Sequence, residues 1–97
     1  MVAVVGAMAG GVLWTRDLVD TLFDGYKAIK EDDVATAVRK FAKVAISAHI
    51  GADLLPDAVH DYLLKANHSE ERARRAANTI KALESPIANE IEKQKSK

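Results

Sequence analysis

The chain has 97 residues, which suits one domain, and its 14 basic and 14 acidic residues leave no formal net charge. Balanced charge argues against general binding to nucleic acid or to anionic membranes, because no overall field steers such partners to the chain. With no cysteine, the chain has no disulfide framework, no thiolate nucleophile and no thiolate metal site.

The stretch from Met1 to Trp14 is apolar, and every charged residue of the chain follows it. It is shorter than the roughly 20 apolar residues of a membrane span. A secretory signal begins with basic residues before its apolar run, but the first basic residue here is Arg16, after the run. Met8 stands where a dinucleotide fingerprint needs its second glycine. We therefore expect residues 1–14 to be a docking segment that a partner covers. The expected contact residues are Val4, Val5, Met8, Val12, Leu13 and Trp14.

The next apolar pattern predicts a first helix over Val12 to Ile29, because apolar residues recur every three or four positions. The small residues before it are expected to lead directly into this helix, and the pattern leaves open a start as early as Val2. The acidic run 31–33 predicts a break with an aspartate cap for a second helix, which begins near Val34. Gly51 is expected to end that helix.

Proline and serine positions divide the rest of the chain. A short third helix is expected over Pro56 to Ala66, because proline opens helices readily. Ser69 is expected to cap a fourth helix. Beyond it the apolar spacing continues, and the chain either kinks at Pro86 or restarts there with Ser85 as the cap.

These elements predict an all-α fold: a small antiparallel bundle of four helices, or five if Pro86 breaks the last one. No long linker divides the chain, so residues 1–97 are expected to form a single helical domain. Within it, residues 92–97 lack apolar anchors and are expected to be a solvated tail. This fold leaves an apolar surplus at the N-terminus.

One group of side chains has metal-ligand chemistry. Asp57, His60 and Asp61 stand at i, i+3 and i+4 of the third helix, so they share a face on which carboxylates and an imidazole could hold a divalent ion. The same residues are equally typical of a solvated helix face with an acidic first turn. We favour the solvated face and expect no cofactor.

A second group is basic. Arg72, Arg74 and Arg75 could meet phosphates from one side of the fourth helix. Glu70 and Glu71 stand four residues before Arg74 and Arg75, in the orientation that favours ion pairs. The arginines are therefore expected to be partly neutralised, and no aromatic residue lies near them in sequence to stack on bases.

We expect a non-enzymatic structural or adaptor subunit of a larger assembly, which docks on a protein partner or a second copy through residues 1–14. One alternative is a peripheral or partly inserted membrane protein anchored by the same residues. The other is a nucleic-acid binder that uses the arginine helix. No small-molecule substrate is indicated, and the expected location is the cytoplasm or a membrane surface, since no signal peptide is recognised.

Overall fold

The computed structural model describes residues 6–96 and is predominantly helical, which confirms the all-α class. Five helices follow a short β-hairpin in this part of the chain. The strands are β1 (Ala7–Ala9) and β2 (Val12–Trp14), and the helices are α1 (Arg16–Lys30), α2 (Val34–Ala48), α3 (Leu55–Lys65), α4 (Glu70–Ala82) and α5 (Glu84–Lys95).

The hairpin contradicts the expectation that small residues lead straight into the first helix. Its strands are antiparallel, with Met8 opposite Leu13. Gly10 and Gly11 form the turn with φ angles of 59° and 77°, a conformation that glycine adopts without strain and that suits a two-residue hairpin loop. The first helix therefore starts only at Arg16, after the turn has reversed the chain.

The inner face of the hairpin belongs to the core. Trp14 is fully buried, and its ring lies 4.7 Å from the ring of Tyr62 in α3. The Trp14 Nε1 donates a hydrogen bond to the Ala9 carbonyl oxygen at 3.2 Å, across the hairpin. On the outside, the Lys65 ammonium donates to the Met8 carbonyl oxygen at 2.9 Å. These contacts attach the hairpin to α3.

Helices α1 and α2 pack closely because small residues lie between them. The space beside Gly25 is filled by Phe41, whose Cε1 would be 2.5 Å from a Cβ at that position. A larger residue than glycine would push the helices apart. The turn before α2 is closed by Asp33, whose side chain accepts a hydrogen bond from the Thr36 amide at 3.2 Å, as the acidic run predicted.

Two helix ends differ from the prediction. α2 stops at Ala48 because His49 takes a left-handed conformation (φ 59°), two residues before Gly51. α5 begins at Glu84 after Leu83, which contributes no side-chain cap, so Ser85 lies inside the helix.

The last helix packs on α2 and carries most of the predicted tail. Its apolar contacts come from Ile87 and Ile91, which are buried. The helix continues to Lys95, so residues 92–95 are helical, and most of their side chains are exposed.

The turn provides a matched pair of substitutions. Gly11→Ala should lower the free energy of unfolding by roughly 1–2 kcal/mol, because alanine is strained at positive φ but meets open space there. Gly10→Ala should lower it by roughly 2–4 kcal/mol, because its Cβ would also lie 2.7 Å from the Ala58 Cα in α3. Urea unfolding of both variants measures the difference, and equal losses would contradict the docking of the turn on α3.

Candidate functional site

The outer face of the hairpin holds two of the predicted docking residues. Met8 and Leu13 stand directly opposite each other and are 56% and 52% exposed. Val12 and Trp14 are 2% and 0% exposed, so their assignment to a docking surface is wrong. The physical reason is the strand itself, which turns alternate residues to opposite faces. Val4 and Val5 lie outside the described residues.

The predicted metal residues form a different arrangement. Only His60 and Asp61 of that set interact, with 3.3 Å between the imidazole Nδ1 and the carboxylate Oδ1. The other ring nitrogen, Nε2, lies 2.8 Å from a carboxylate oxygen of Glu70 in α4. Within residues 6–96, no three histidine or acidic side chains are placed to share a metal ion. The structure therefore does not bring Asp57, His60 and Asp61 together as one set of ligands, and His60 links α3 to α4.

Hydrogen bonds shift the pKa values of the two side chains that join α3 to α4, His60 and Glu70. Those from His60 to Asp61 and to Glu70 raise the pKa of His60 above its usual value, because both carboxylates favour the charged imidazolium. Bonds from Arg74 and from His60 lower the pKa of Glu70. The link between α3 and α4 is therefore an ion pair at mildly acidic pH and weakens as His60 loses its proton.

The three arginines differ in their surroundings. Arg74 and Arg75 form ion pairs with Glu70 and Glu71 at 2.6 and 2.7 Å, which confirms the expected local neutralisation. For Arg72, the described part of the chain contains no ion-pair partner. Arg72 is therefore the one of the three arginines whose charge no carboxylate offsets in this part of the chain.

Arg72 lines an open groove between α1 and α4, with the end of α3 at its base. The groove has a volume of about 560 Å³. Its basic lining residues are Lys27, Lys30, Arg72, Arg75 and His68. Its other lining residues are Phe23, Tyr26, Leu63, Ala76 and Thr79. Positive charge and apolar surface thus meet in one place.

The floor of this groove is fixed by Tyr26. Its hydroxyl donates a hydrogen bond to the Ala76 carbonyl oxygen at 2.7 Å, which joins α1 to α4, and burial raises the pKa of the phenol. Its ring packs edge-on against Phe41, with 5.0 Å between the ring centres. The phenol therefore stays neutral and holds the two walls of the groove at a set separation.

His68 adds no charge to the groove at neutral pH. Burial, and then the nearby positive charge of Arg72, lower the pKa of His68 below its usual value. Its Nε2 is buried and has no hydrogen-bond partner among residues 6–96. The positive charge of the groove therefore comes from lysine and arginine side chains.

Sequence reasoning missed this groove. It searched for aromatic residues close to Arg72 along the chain, whereas Tyr26 contacts α4 from 50 residues away. The available signal was the spacing of Lys27 and Lys30, which places two basic residues on one side of α1 beside its partly buried aromatic residues. The local sequence pattern does not indicate that α4 lies beside this face of α1.

Comparisons with known proteins add no relative. No protein-family model matches the chain, and neither a curated protein nor a solved structure matches it. Its function must therefore be argued from its own residues.

The link between His60 and Glu70 makes stability depend on pH. Because the pKa of His60 is raised in the folded chain, its contribution is fully present below the ordinary histidine pKa of about 6.5 and is lost as the pH rises through the higher folded value. Glu70→Gln should therefore cost more stability at pH 6 than at pH 8.5, as measured by urea unfolding at both values.

Glu71→Gln is the matched control for that experiment. Glu71 also lies in the first turn of α4 and pairs with an arginine four residues later, but it contacts no histidine. Its effect should be the same at both pH values. An equal pH dependence in the two variants would show that His60 is not the titrating partner.

Proposed function

We propose that this chain is a non-enzymatic structural or adaptor subunit that joins an assembly through the outer face of its N-terminal hairpin. The observation that supports it most is the cross-strand pair of Met8 and Leu13, two large apolar side chains that are each more than half exposed. The proposal keeps the expected small antiparallel bundle as the scaffold and assigns no catalytic step to the chain.

The surroundings of Met8 and Leu13 indicate a fixed docking surface and not a mobile apolar loop. The opposite face of the hairpin is held by the buried Trp14, and the Met8 carbonyl is held by Lys65. A pair on a fixed backbone loses less conformational freedom when a partner covers it than a pair on a mobile segment does. Rigid apolar anchors are also the residues that contribute most to protein interfaces.

A second copy of the chain is the partner in this proposal. Met8 and Leu13 lie opposite each other on antiparallel strands. A two-fold axis between two hairpins can place Met8 of each copy against Leu13 of the other, and closed symmetric dimers are built from such reciprocal contacts. The patch is thus complementary to itself.

Sedimentation of the full chain over a range of concentrations tests this proposal. The double variant Met8→Ser and Leu13→Ser should weaken dimerisation roughly a thousandfold. About half of each side chain is still available for burial, and the four side chains that a symmetric dimer contains together supply roughly 4 kcal/mol. The control is Val34→Ser with Leu54→Ser, which removes two apolar side chains of similar exposure, 48% and 55%. This control should dimerise like the unchanged chain.

Two outcomes would contradict the proposal. A chain that stays monomeric at every concentration has no self-association for the hairpin to mediate. Binding to phosphatidylcholine vesicles that disappears in the hairpin variant would assign Met8 and Leu13 to a membrane contact. Among residues 6–96, no helix is both long and apolar enough to cross a bilayer.

A further inference from the structure

The groove between α1 and α4 has an unusual charge balance for a chain with no net charge. The charged side chains that line it are all basic, and no carboxylate is among its lining residues. In the described part of the chain, Lys27, Lys30 and Arg72 form no ion pair. Of the lysines and arginines that line the groove, only Arg75 forms an ion pair with a described residue, Glu71. Like charges in one groove repel each other, and an anionic partner would relieve that repulsion.

The basic residues form two short rows. Lys27 and Lys30 stand one helical turn apart on α1, and Arg72 and Arg75 stand one turn apart on α4. Each row therefore presents its charges along a helix axis, about 5 Å apart. Partners with a matching repeat of acidic groups can meet both rows at once.

Between the rows the groove is apolar. Phe23 and Tyr26 are only partly buried, and Leu63 and Ala76 complete the surface between them. A partner that supplied only negative charge would leave this apolar surface exposed to solvent. An amphipathic helix with an apolar stripe and acidic flanks satisfies both requirements, since such helices bind in grooves through residues spaced at i, i+3, i+4 and i+7.

We propose that this groove binds an acidic amphipathic helix of a partner protein, whose apolar stripe contacts Phe23 and Tyr26 and whose carboxylates contact Lys27, Lys30 and Arg72. The surface differs from the outer face of the hairpin. Binding here neither requires nor prevents the dimer proposed above, so the two proposals fail separately.

The test uses a labelled synthetic peptide of about 15 residues, near the length at which an isolated helix becomes stable. Leucines occupy one face of its helix, and glutamates flank them. Fluorescence anisotropy measures its affinity for the full-length protein. We expect saturable binding that weakens when the glutamates are replaced by glutamine, and that weakens again when the same residues are reordered so that the leucines no longer share a face.

Arg72→Glu is the decisive variant because it should fold. Ser69 caps α4, and its hydroxyl accepts a hydrogen bond from the Arg72 amide at 3.1 Å. A glutamate at this third helical position completes a capping box with Ser69. Peptide affinity should nevertheless fall at least about tenfold, because repulsion replaces attraction in the groove. Arg72→Gln also suits the capping box and should lose part of that affinity.

Lys30→Glu tests the α1 side of the groove, and Lys81→Glu, which lies outside the groove, is its matched control. Both lysines lie in the last turn of their helices, so both reversals change the same helix-end electrostatics. Lys81 does not line the groove. Lys30→Glu should weaken peptide binding at least about tenfold, whereas Lys81→Glu should leave it within about twofold.

Four results would overturn the proposal. Equal losses in Lys30→Glu and Lys81→Glu would indicate a general charge effect, and equal affinity for the reordered peptide would make the apolar surface irrelevant. Tighter binding of a mixed-sequence single-stranded DNA than of the peptide would assign the groove to nucleic acid. Loss of dimerisation in Arg72→Glu would assign it to a contact between copies of the chain.

Discussion

The contact between Trp14 and α3 is the constraint on which the rest of the structure depends. The Trp14 ring lies against Tyr62, is fully buried, and its nitrogen is hydrogen-bonded across the hairpin. Truncating a buried aromatic residue typically costs about 3–5 kcal/mol, a large share of the roughly 5–15 kcal/mol that stabilises a small domain. The core is otherwise rich in alanine and closely packed, as Gly25 against Phe41 illustrates. The hairpin is therefore part of the core.

This burial also decides which residues remain outside. In a strand, successive side chains point to opposite faces, so placing Val12 and Trp14 in the core leaves Leu13 exposed, and its cross-strand partner Met8 with it. A helix over the same residues would have put a different set on the surface. The apolar residues of the two strands are thus divided between the core and a small outer patch, and our proposal for assembly depends on that patch alone.

Helices could be predicted where caps and periodicity agreed. Asp33 and Ser69 both cap the helices expected of them. The hairpin was missed because strands of three residues are too short to show an alternating pattern, although the pair Gly10 and Gly11 is itself a hairpin signal. The start of α5 was misplaced because its cap, Leu83, forms no side-chain bond. The groove was beyond reach, since the approach of α4 to α1 at Tyr26 and Ala76 is a property of the tertiary fold.

Acrylamide quenching of Trp14, the only tryptophan in the chain, tests the central claim that the β-hairpin completes this chain's own core. The measurement is made on native protein diluted until sedimentation shows only monomer, with the urea-unfolded chain as reference. We expect strong protection of the fluorescence in the native monomer and free quenching after unfolding. Free quenching in the native monomer, or protection that arises only on association, would show that Trp14 lies on the surface and would contradict the account.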